Sequence, residues 1–435
     1  MPSAILTARE RITKFTNCRL VRGTELVEQD LWVSSGSGKI VRSQEVFYGE
    51  NIVPDTTIDL GGRIISPGMI DVQLNGAYGF NFSQLPEPGM SYEKSLRQVN
   101  KSLVQTGVTS YLPTVTSEQK EVYHHVLPFL GPSKGQRVAE DGAESLGAHV
   151  EGPFLNPTKN GIHKVENLIT AGDFSDLEDC YGASNINPGE DPLDGSLLPP
   201  RIKMITAAPE LGSMSKLIPS LTSRGIIFSM GHTEASYEDA SLAVSRGCTM
   251  ITHLFNAMRP LHHRNPGVFG VLGLAESQPR PSFGIIADGI HLHPTSVKIA
   301  FNAHPDGFVL VTDAMHLVGL PDGTYDWTNG ERITKIGARL VLEADSSKIA
   351  GSSIALIGCV NNFLAWSGAS IPQALKAVTA TPAGMLGLAG VKGSLDNDAD
   401  ADLCIFSEEK GEHGELRLVV DQVWKFGTKV FDRLQ

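Results

Sequence analysis

The sequence predicts an α/β protein made of a (β/α)8 TIM barrel and a small β-sandwich domain built from both ends of the chain. Apolar runs alternate with helical patterns through the middle of the chain, which is typical of a parallel sheet covered by helices. Eight such runs are found, and eight strands close a barrel. The two ends instead carry short β-like runs with no helical pattern between them.

The predicted barrel strands lie in the central part of the chain. They are 68–74, 110–115, 146–149, 202–207, 226–230, 250–252, 283–287 and 308–312. Helical patterns are found at 92–105, 117–130, 214–223, 237–246 and 294–303, and two more follow at 353–366 and 372–386. The barrel domain is therefore expected over 66–392. Within it, 173–200 is rich in Asp, Gly, Pro, Ser and Asn, which predicts a surface insertion or mobile loop.

The terminal β-like runs are 13–20, 25–33, 39–47 and 57–65 at the start of the chain and 402–407, 415–420 and 422–430 at its end. Each set is too small to form a stable domain alone. We therefore expect residues 1–65 and 393–435 to form one β-sandwich, with the barrel inserted between its two halves.

The composition restricts the class of protein. A chain of 435 residues with 41% hydrophobic and 19% charged residues is ordinary for a soluble enzyme with one large and one small domain. The formal charge of −12 and the lack of basic runs argue against a nucleic acid or a membrane as partner. The five cysteines form no C-x-x-C pair, and neither a signal peptide nor an apolar run of about 18 residues is found, so a cytoplasmic protein is predicted.

Two histidines each follow a short apolar run. His232 comes after 226–230 and His253 after 250–251, about twenty residues later, which is the length of one strand-helix-strand step. Because the carboxyl ends of neighbouring parallel strands face the same way, we expect the two imidazoles to converge on one site.

Further polar groups recur at the ends of the predicted strands. They are Asp71, Gln73 and Asn75 after strand one, His149 and Glu151 after strand three, Asn256 after strand six, Asp288 and His291 after strand seven, and Asp313 after strand eight. Two imidazoles and one carboxylate suit a divalent ion of borderline softness that keeps a coordination position for water. Glu151, His232 and His253 meet that requirement.

Such an ion lowers the pKa of its water towards neutrality, which makes the water a nucleophile for an amide or ester. Asp313, at the end of the last strand, is placed to accept the proton and later to pass it to the leaving group. A single histidine is a weak signal, because a packed core imidazole explains any one of them equally well. Their combination at strand ends favours a metal site.

The ordered motifs resemble those of the N-acetylglucosamine-6-phosphate deacetylase family of the amidohydrolase superfamily. They are 67–76 (PGMIDVQLNG), 149–156 (HVEGPFLN), 231–233 (GHT), 252–258 (THLFNAM), 287–291 (ADGIH), 311–313 (VTD) and 350–353 (AGSS). The resemblance spans almost the whole chain. It implies hydrolysis of the acetamide of N-acetylglucosamine 6-phosphate to glucosamine 6-phosphate and acetate, with one divalent ion per subunit, zinc being the first choice.

The resemblance also implies roles for individual residues. Glu151, His232 and His253 are the implied metal ligands, Asp313 is the implied general base and acid, and His163 is implied to contact the substrate and polarise the amide carbonyl. The implied substrate contacts are Ile162, His163, Asn256, Ala257, His263, Arg264, His291, Ile349, Ala350 and Gly351. His293 is expected to be structural, and the alternative for His163 is an exposed loop histidine.

The chain departs from many amidohydrolases at two strand ends. Where those proteins carry His-x-His after strand one, this chain has Gln73 and Asn75, and near the end of strand four it has 207–210 (AAPE) instead of a bridging lysine. The position for a second metal ion is therefore expected to be lost.

A short cluster of potentially cationic side chains lies near a predicted rim loop at 262–264 (HHR). Arg264 can hold a phosphate through two parallel hydrogen bonds. The alternative is a solvated loop arginine. The resemblance implies that Arg264 reaches the active site of a neighbouring subunit, and therefore implies a homodimer.

Two alternative functions are left open by the sequence. An amidohydrolase acting on a cyclic amide or another N-acyl substrate would share the barrel and the metal but not the phosphate contact. A non-catalytic relative could serve as a scaffold or binding module, as happens in barrel folds. The sequence also leaves open the identity of the metal and whether the metabolic role is catabolic or concerns a biosynthetic pool.

Overall fold

The computed structural model describes residues 11–42, 53–86, 89–133, 137–191, 195–275, 277–326, 331–412 and 414–433. Residues 43–47 of the predicted strand at 39–47 lie outside this part. The first strands of the described chain are β1–β7. They are Ile12–Thr16, Arg19–Arg22, Glu25–Glu28, Leu31–Ser34, Lys39–Ile40, Thr56–Asp59 and Ile64–Pro67.

Strands β8–β20 and most of the helices occupy the middle of the chain. The strands are Met69–Leu74, Gly76–Ala77, Phe80–Asn81, Val108–Val115, Glu144–Ser145, Ala148–Glu151, Gly189–Glu190, Leu197–Leu198, Ile202–Ala207, Ile227–Met230, Met250–Ile251, Ser282–Ile286 and Phe308–Val311. Helices α1–α10 are Tyr92–Leu103, Lys120–Leu130, Phe174–Tyr181, Ala183–Ile186, Met214–Thr222, Tyr237–Ser245, Pro294–Ala303, Leu356–Ser367, Ile371–Lys376 and Ala380–Met385. The last strands, β21–β27, are Gly323–Asp326, Arg332–Ile336, Arg339–Leu342, Asp345–Ser352, Leu403–Lys410, Leu416–Lys425 and Thr428–Asp432. None of the described helices is long and apolar enough to cross a bilayer.

Eight parallel strands form a nearly closed barrel in the order β8, β11, β13, β16, β17, β18, β19 and β20. The ring closes between β20 and β8. There the amide of Asp313 donates to the carbonyl of Gln73, and the amide of Asn75 donates to the carbonyl of Ala314, both at 2.9 Å. The predicted (β/α)8 barrel is confirmed, and each strand lies within a few residues of its predicted position.

The barrel strands are mostly apolar because both of their faces are covered. Every residue of β11 and of β17 is buried, as expected for parallel strands with helices outside and side chains inside. Inside the barrel, Ile70, Leu112 and Val309 pack with Ala383 and Leu386 at the end of α10. This packing closes the barrel at one end, so the polar groups are gathered where the strands finish.

The terminal strands form two sheets that share one core. The first sheet has the order β5-β4-β1-β6 and the second has the order β27-β26-β25-β7-β2-β3. Phe15 and Val33 of the first sheet cluster with Ile65, Ile405 and Trp424 of the second. The predicted β-sandwich from both ends of the chain is confirmed, whereas the domain limits 1–65, 66–392 and 393–435 stay a prediction.

The antiparallel sheet β21–β24, between the last barrel strand and α8, is missing from the sequence-based prediction. A signal for it exists, because 332–336 and 339–342 are separated by two residues, Gly337 and Ala338, which is typical of a tight hairpin. The sheet joins the rim of the barrel, where the amide of Met315 donates to the carbonyl of Ser352 at 2.9 Å.

The segment 173–200, predicted as a surface insertion or mobile loop, is helical in its first half, and the surface insertion itself stays a prediction. Helix α3 begins there with a capping box formed by Asp173 and Asp176, and it buries Leu177, Cys180 and Tyr181. Asp, Ser and Asn favour loops because they bond to the backbone, but they do the same at helix starts. The composition of this segment is therefore compatible with a helix start as well as with a loop, and α3 was not predicted.

Candidate metal centre and substrate pocket

A cavity of about 170 Å³ opens at the carboxyl ends of the barrel strands. Most of the predicted site residues line it. They are Asn75, Glu151, Ile162, His163, His232, His253, Asn256, Ala257, His291, Asp313 and Gly351. Most of the side chains predicted at the strand ends therefore share one pocket.

The three predicted metal ligands meet at the bottom of this pocket. Oε1 of Glu151 lies 3.2 Å from Nε2 of His232 and 3.0 Å from Nε2 of His253, and the two Nε2 atoms are 3.1 Å apart. All three side chains are buried. Glu151 is the last residue of β13, and each histidine comes two residues after its strand, β17 or β18.

The backbone at these positions is strained. His232, His253 and Asp313 have positive φ angles of 49°, 28° and 44°. A residue with a Cβ rarely adopts this region, which costs about 1–3 kcal/mol and persists only where the surroundings hold it. Strain is thus concentrated in the residues whose side chains turn into the pocket.

The donor set fits a metal ion. Nδ1 of His232 lies 2.7 Å from the carbonyl oxygen of Lys159, which can only accept, so Nδ1 carries the hydrogen and Nε2 of the neutral ring has a lone pair. That lone pair faces a carboxylate oxygen and the second Nε2, an arrangement that is unfavourable without a cation between them. Tetrahedral zinc with bonds of about 2.0–2.2 Å holds its ligand atoms roughly 3.3–3.6 Å apart, close to the observed spacing.

Glu151 is ionised at neutral pH. Burial alone would raise its pKa, but the neighbouring imidazoles of His232 and His253 outweigh burial and lower the pKa well below its usual value. Gln73, one of the two residues where a second-metal position is predicted to be lost, donates from Nε2 to Oε1 of Glu151 at 3.2 Å. The buried carboxylate of Glu151 is therefore negatively charged and can bind a cation.

His163 also lies in this group, with its ligand atom within 4.8 Å of those of Glu151 and His232. Its Nδ1 accepts the backbone N–H of Ser117 at 3.1 Å, so the hydrogen of the neutral ring is on Nε2, which lies 4.0 Å from Oε2 of Glu151. Burial and then the charge of His232 lower the pKa of His163 to about 3. His163 therefore presents a hydrogen-bond donor to the pocket, which suits a substrate contact better than a metal ligand.

Asp313 lies two residues beyond β20 and is half-buried beside the other groups. Nδ2 of Asn75, the second of the two residues in that prediction, donates to Oδ1 of Asp313 at 2.8 Å. Burial and the charge of Glu151 raise the pKa of Asp313 to about 6. A carboxylate with this pKa can both accept and return a proton near neutral pH.

His291 is fixed by a neighbouring carboxylate. Its Nδ1 lies 2.7 Å from Oδ2 of Asp288, whose Oδ1 accepts the backbone amides of Ile290 and His291. Burial lowers the pKa of His291, but the hydrogen bond and charge of Asp288 outweigh it, so the net shift is upward. His293 instead caps α7 by accepting the amide of Thr295, which is a structural position.

The other predicted substrate contacts come from two rim segments. Ala257 has a φ of 49°, and its carbonyl accepts the amide of Thr233 at 3.1 Å. In β24, Ala350 is buried, Ile349 is exposed and Gly351 reaches the pocket. The φ of Gly351 is 129°, and a Cβ there would lie 2.8 Å from Sδ of Met315. Glycine therefore lets the backbone of β24 pass this close to Met315.

His263 and Arg264 are not among the residues that line the pocket of their own chain. Both are exposed, and Nη1 of Arg264 lies 3.0 Å from Nε2 of His263. The loop that carries them therefore faces outward, and their predicted contact with phosphate stays a prediction.

Comparison with known proteins places the chain in a family. The Amidohydrolase family matches residues 64–428. The chain belongs to the amidohydrolase family. It is 40% identical to the N-acetylglucosamine-6-phosphate deacetylase of Mus musculus over 94% of this chain and 95% of that protein. The same enzyme of Danio rerio is 38% identical over 98% and 100%.

Solved structures agree with the amidohydrolase fold. The crystal structure of N-acetylglucosamine-6-phosphate deacetylase from Pasteurella multocida gives a TM-score of 0.75 at 24% identity, covering 96% of this chain and 99% of that one. The resemblance to the deacetylases inferred from the ordered motifs is thus confirmed. The roles given to individual residues stay predictions.

Several residues that shape the amidohydrolase site were not predicted from the sequence. Lys159 and Ser117 act through main-chain atoms, which no side-chain pattern reveals. The hydrogen bonds from Gln73 and Asn75 have partners far along the chain. The sequence therefore showed only that these two residues replace the His-x-His of many amidohydrolases. Asp288 was named as a strand-end group without a role, and its place three residues before His291 was the available signal.

Proposed function

We propose that this chain hydrolyses the acetamide of N-acetylglucosamine 6-phosphate to glucosamine 6-phosphate and acetate. The observation that carries the proposal is the 40% identity to the mouse N-acetylglucosamine-6-phosphate deacetylase over 94% of the chain. The pocket supports it, because Glu151, His232, His253 and Asp313 meet there. A different amidohydrolase reaction, on a cyclic amide or another N-acyl substrate, is the less favoured alternative.

Oε1 of Glu151 and Nε2 of His232 and His253 would hold one divalent ion per subunit, with zinc as the first choice for two nitrogens and one oxygen. When bound, such an ion polarises a carbonyl oxygen and makes water acidic. Because Gln73 and Asn75 offer amide groups that already bond to Glu151 and Asp313, we propose that no second ion is held there.

Asp313 would accept a proton from the attacking water while the water oxygen bonds to the amide carbon. Nε2–H of His163 would donate to the amide oxygen as negative charge develops on it. The carbon–nitrogen bond then breaks as Asp313 returns its proton to the leaving nitrogen. Acetate and the amino sugar phosphate result, and Asp313 is again ionised.

The sugar would be held by the residues around this centre. His291, fixed by Asp288, contributes a donor whose raised pKa favours the charged form. Ile162 and the segment 349–351 would cover the sugar ring, and the region of Asn256 and Ala257 would contact the phosphate end. Each contact orients the acetamide towards Asp313, which is how binding energy remote from the reacting bond contributes to rate.

The phosphate would be held by Arg264 with His263 of a partner subunit in a homodimer. Two features support this: His263 and Arg264 are exposed and do not line the pocket of their own chain, and guanidinium binds a dianion through paired hydrogen bonds. We propose that the dimer works in the cytoplasm.

The β-sandwich domain would comprise residues 1–65 and 393–435, and the barrel domain would comprise residues 66–392.

Acetate release from N-acetylglucosamine 6-phosphate tests the proposal. The purified protein should release acetate, lose this activity with a chelator and regain it when zinc is added back. Unphosphorylated N-acetylglucosamine and a cyclic amide are the matched comparisons. Faster hydrolysis of the cyclic amide would favour the alternative, and equal rates for the two sugars would remove the phosphate contact.

A further inference from the structure

We infer that Glu210 is a positioning residue of the metal centre, which holds the backbone that follows His232. Glu210 lies three residues beyond β16, the fourth barrel strand, and has not been assigned a role so far. The inference rests on the proposed function, since it concerns the ligand set proposed there. It can nevertheless be tested by metal binding alone.

The carboxylate of Glu210 accepts three hydrogen bonds. Oε1 accepts Nδ2 of Asn156 at 3.0 Å and the backbone N–H of Glu234 at 2.8 Å. Oε2 accepts the hydroxyl of Thr233 at 2.5 Å. Two of the three donors therefore belong to the residues that directly follow His232.

The donors connect three loops of the rim. The amide of Asn156, in the loop after β13, donates to the carbonyl of His232 at 2.9 Å. The amide of Thr233 donates to the carbonyl of Ala257, in the loop after β18, at 3.1 Å. Thr233 is fully buried. The half-buried carboxylate of Glu210 thus ties together the loops that follow three metal-ligand strands.

This connection matters because His232 is strained. Its φ of 49° lies in a region that residues with a Cβ rarely adopt and leave when the surroundings allow it. Glu210 bonds to the side chain of Thr233 and to the next backbone amide, so it restrains the turn at its carboxyl side. Relaxation of this turn would move Nε2 of His232 away from Oε1 of Glu151.

Three substitutions separate the hydrogen bonds of Glu210 from its packing. Glu210→Ala removes all three acceptors. Glu210→Gln keeps one acceptor oxygen for Asn156 and Glu234, while its amide group can donate to the hydroxyl of Thr233. We expect Glu210→Gln to keep most of the zinc affinity that Glu210→Ala loses. Glu210→Met fills a similar volume without any acceptor and should lose as much affinity as Glu210→Ala, whereas an effect of packing alone would spare both Glu210→Gln and Glu210→Met.

The experiment is a zinc titration of metal-free protein in competition with a coloured chelator. Residues that orient metal ligands typically contribute about 10–100-fold to metal affinity, so Glu210→Ala should raise the Kd for zinc by at least about tenfold. The absorption spectrum of the cobalt-loaded protein should also change, because the position of His232 alters the ligand field. Both measurements need no substrate.

Glu178→Ala is the matched control, because Glu178 also accepts a side-chain hydrogen bond, from Nδ2 of Asn187 at 2.7 Å, but on α3 outside the pocket. Its zinc affinity should equal that of the wild type. Thermal midpoints of the metal-free variants report any general loss of stability. If Glu210→Ala does not fold, Thr233→Val, which removes one of the three donors, takes its place and should weaken zinc binding in the same direction.

Unchanged zinc affinity in Glu210→Ala, or in Thr233→Val where the first does not fold, would overturn the inference. An equal loss in Glu178→Ala would overturn it too. The outcome is distinct from that of the proposed function: wild-type protein that binds zinc but releases no acetate contradicts the reaction and leaves the role of Glu210 standing.

Discussion

The pKa of the Asp313 carboxyl is set by burial and by two neighbours, Glu151 and Asn75. Burial and the charge of Glu151 raise its pKa, and the hydrogen bond from Asn75 opposes them. The same hydrogen bond occupies Oδ1, which leaves Oδ2 for proton transfer. None of these effects could be predicted from Asp313 itself, because its partners come from strands more than a hundred residues away, although its place after the last strand was predictable.

Asp313→Asn should leave folding and metal content unchanged while turnover falls. Asparagine has nearly the same shape but cannot accept a proton from water, and general acid–base catalysis contributes about 10²–10⁴ to rate. The measurement is kcat for acetate release together with zinc content per subunit. Retention of wild-type turnover would show that another group carries the proton.

The rate should fall on the acidic side as Asp313 becomes protonated. The group is a carboxyl with a raised pKa of about 6, so it is ionised and able to act as a base above this pH and is protonated below it. A bound cation would offset the charge of Glu151, so the midpoint of the acidic limb of kcat/KM should lie at or below about pH 6.

Asn75→Leu should move this acidic limb to higher pH. It removes the hydrogen bond that lowers the pKa of Asp313 while keeping a similar volume. The profiles of both proteins are compared under saturating metal. An unchanged limb, or a shift to lower pH, would mean that the limb belongs to a group other than Asp313.

At the scale of elements, the parallel strands were predicted and the antiparallel sheet was missed. A strand such as β17 is buried on both faces and therefore appears as an apolar run in the sequence. Strand β22 has burial that alternates along Arg332–Ile336, which gives a weaker pattern. Helix α3 was missed because its capping residues, Asp173 and Asp176, are also loop formers.

The missed sheet matters for the site, because β24 brings Gly351 to the pocket. Gly351→Ala would place a Cβ 2.8 Å from Sδ of Met315 at a φ of 129° that alanine rarely adopts. The edge of β24 should shift, and KM for the phosphorylated substrate should rise several-fold with a smaller change in kcat. Steady-state kinetics measure both.

Gly337→Ala is the control from the same sheet. Gly337 also has a positive φ, 58°, but a Cβ there would meet nothing within 4 Å. Its backbone strain should lower the thermal midpoint without changing KM. If the two variants changed KM equally, the effect would come from the sheet as a whole and not from the approach of Gly351 to the substrate.

At the scale of the whole molecule, a buried ion cluster joins the sandwich to the barrel. Nζ of Lys425, at the end of β26, lies 2.6 Å from Oε1 of Glu144 in β12 and 2.7 Å from Oδ2 of Asp402. Lys392 bonds to the same two carboxylates. Burial alone would raise the pKa of Glu144, but Lys425 and Lys392 outweigh it and lower the pKa.

Lys425→Met should destabilise the protein, because Lys425 is completely buried and its removal leaves carboxylates with fewer partners. Removing one partner of a buried ion pair costs about 3–5 kcal/mol. Urea unfolding measures the loss. Lys429→Met, whose partner Asp432 forms a more exposed pair, should cost less than about 1 kcal/mol. Similar losses in both variants would show that the buried cluster adds no more than a surface pair.

The proposed dimer predicts that two impaired variants recover activity when their subunits are mixed. If the partner subunit's Arg264 completes each pocket, Arg264→Ala and Asp313→Asn damage different subunits of the same site. Mixing the two variants and allowing subunits to exchange creates mixed dimers, each with one pocket that has both residues intact. With random exchange, half of the dimers are mixed and half of their sites are intact. At substrate concentrations far below the raised KM of Arg264→Ala, where neither variant alone has much activity, the mixture should therefore recover about one quarter of the wild-type activity.

Each variant measured alone supplies the baseline for this mixing experiment. Arg264→Ala should mainly raise KM for the phosphorylated substrate and leave the unphosphorylated sugar little affected, because it removes a phosphate contact that is far from the reacting bond. Activity of the mixture equal to the average of the two variants would mean that Arg264 serves its own chain or that subunits do not share sites. Because the loop at 262–264 lies outside the pocket of its own chain, recovery above that average is the expected result.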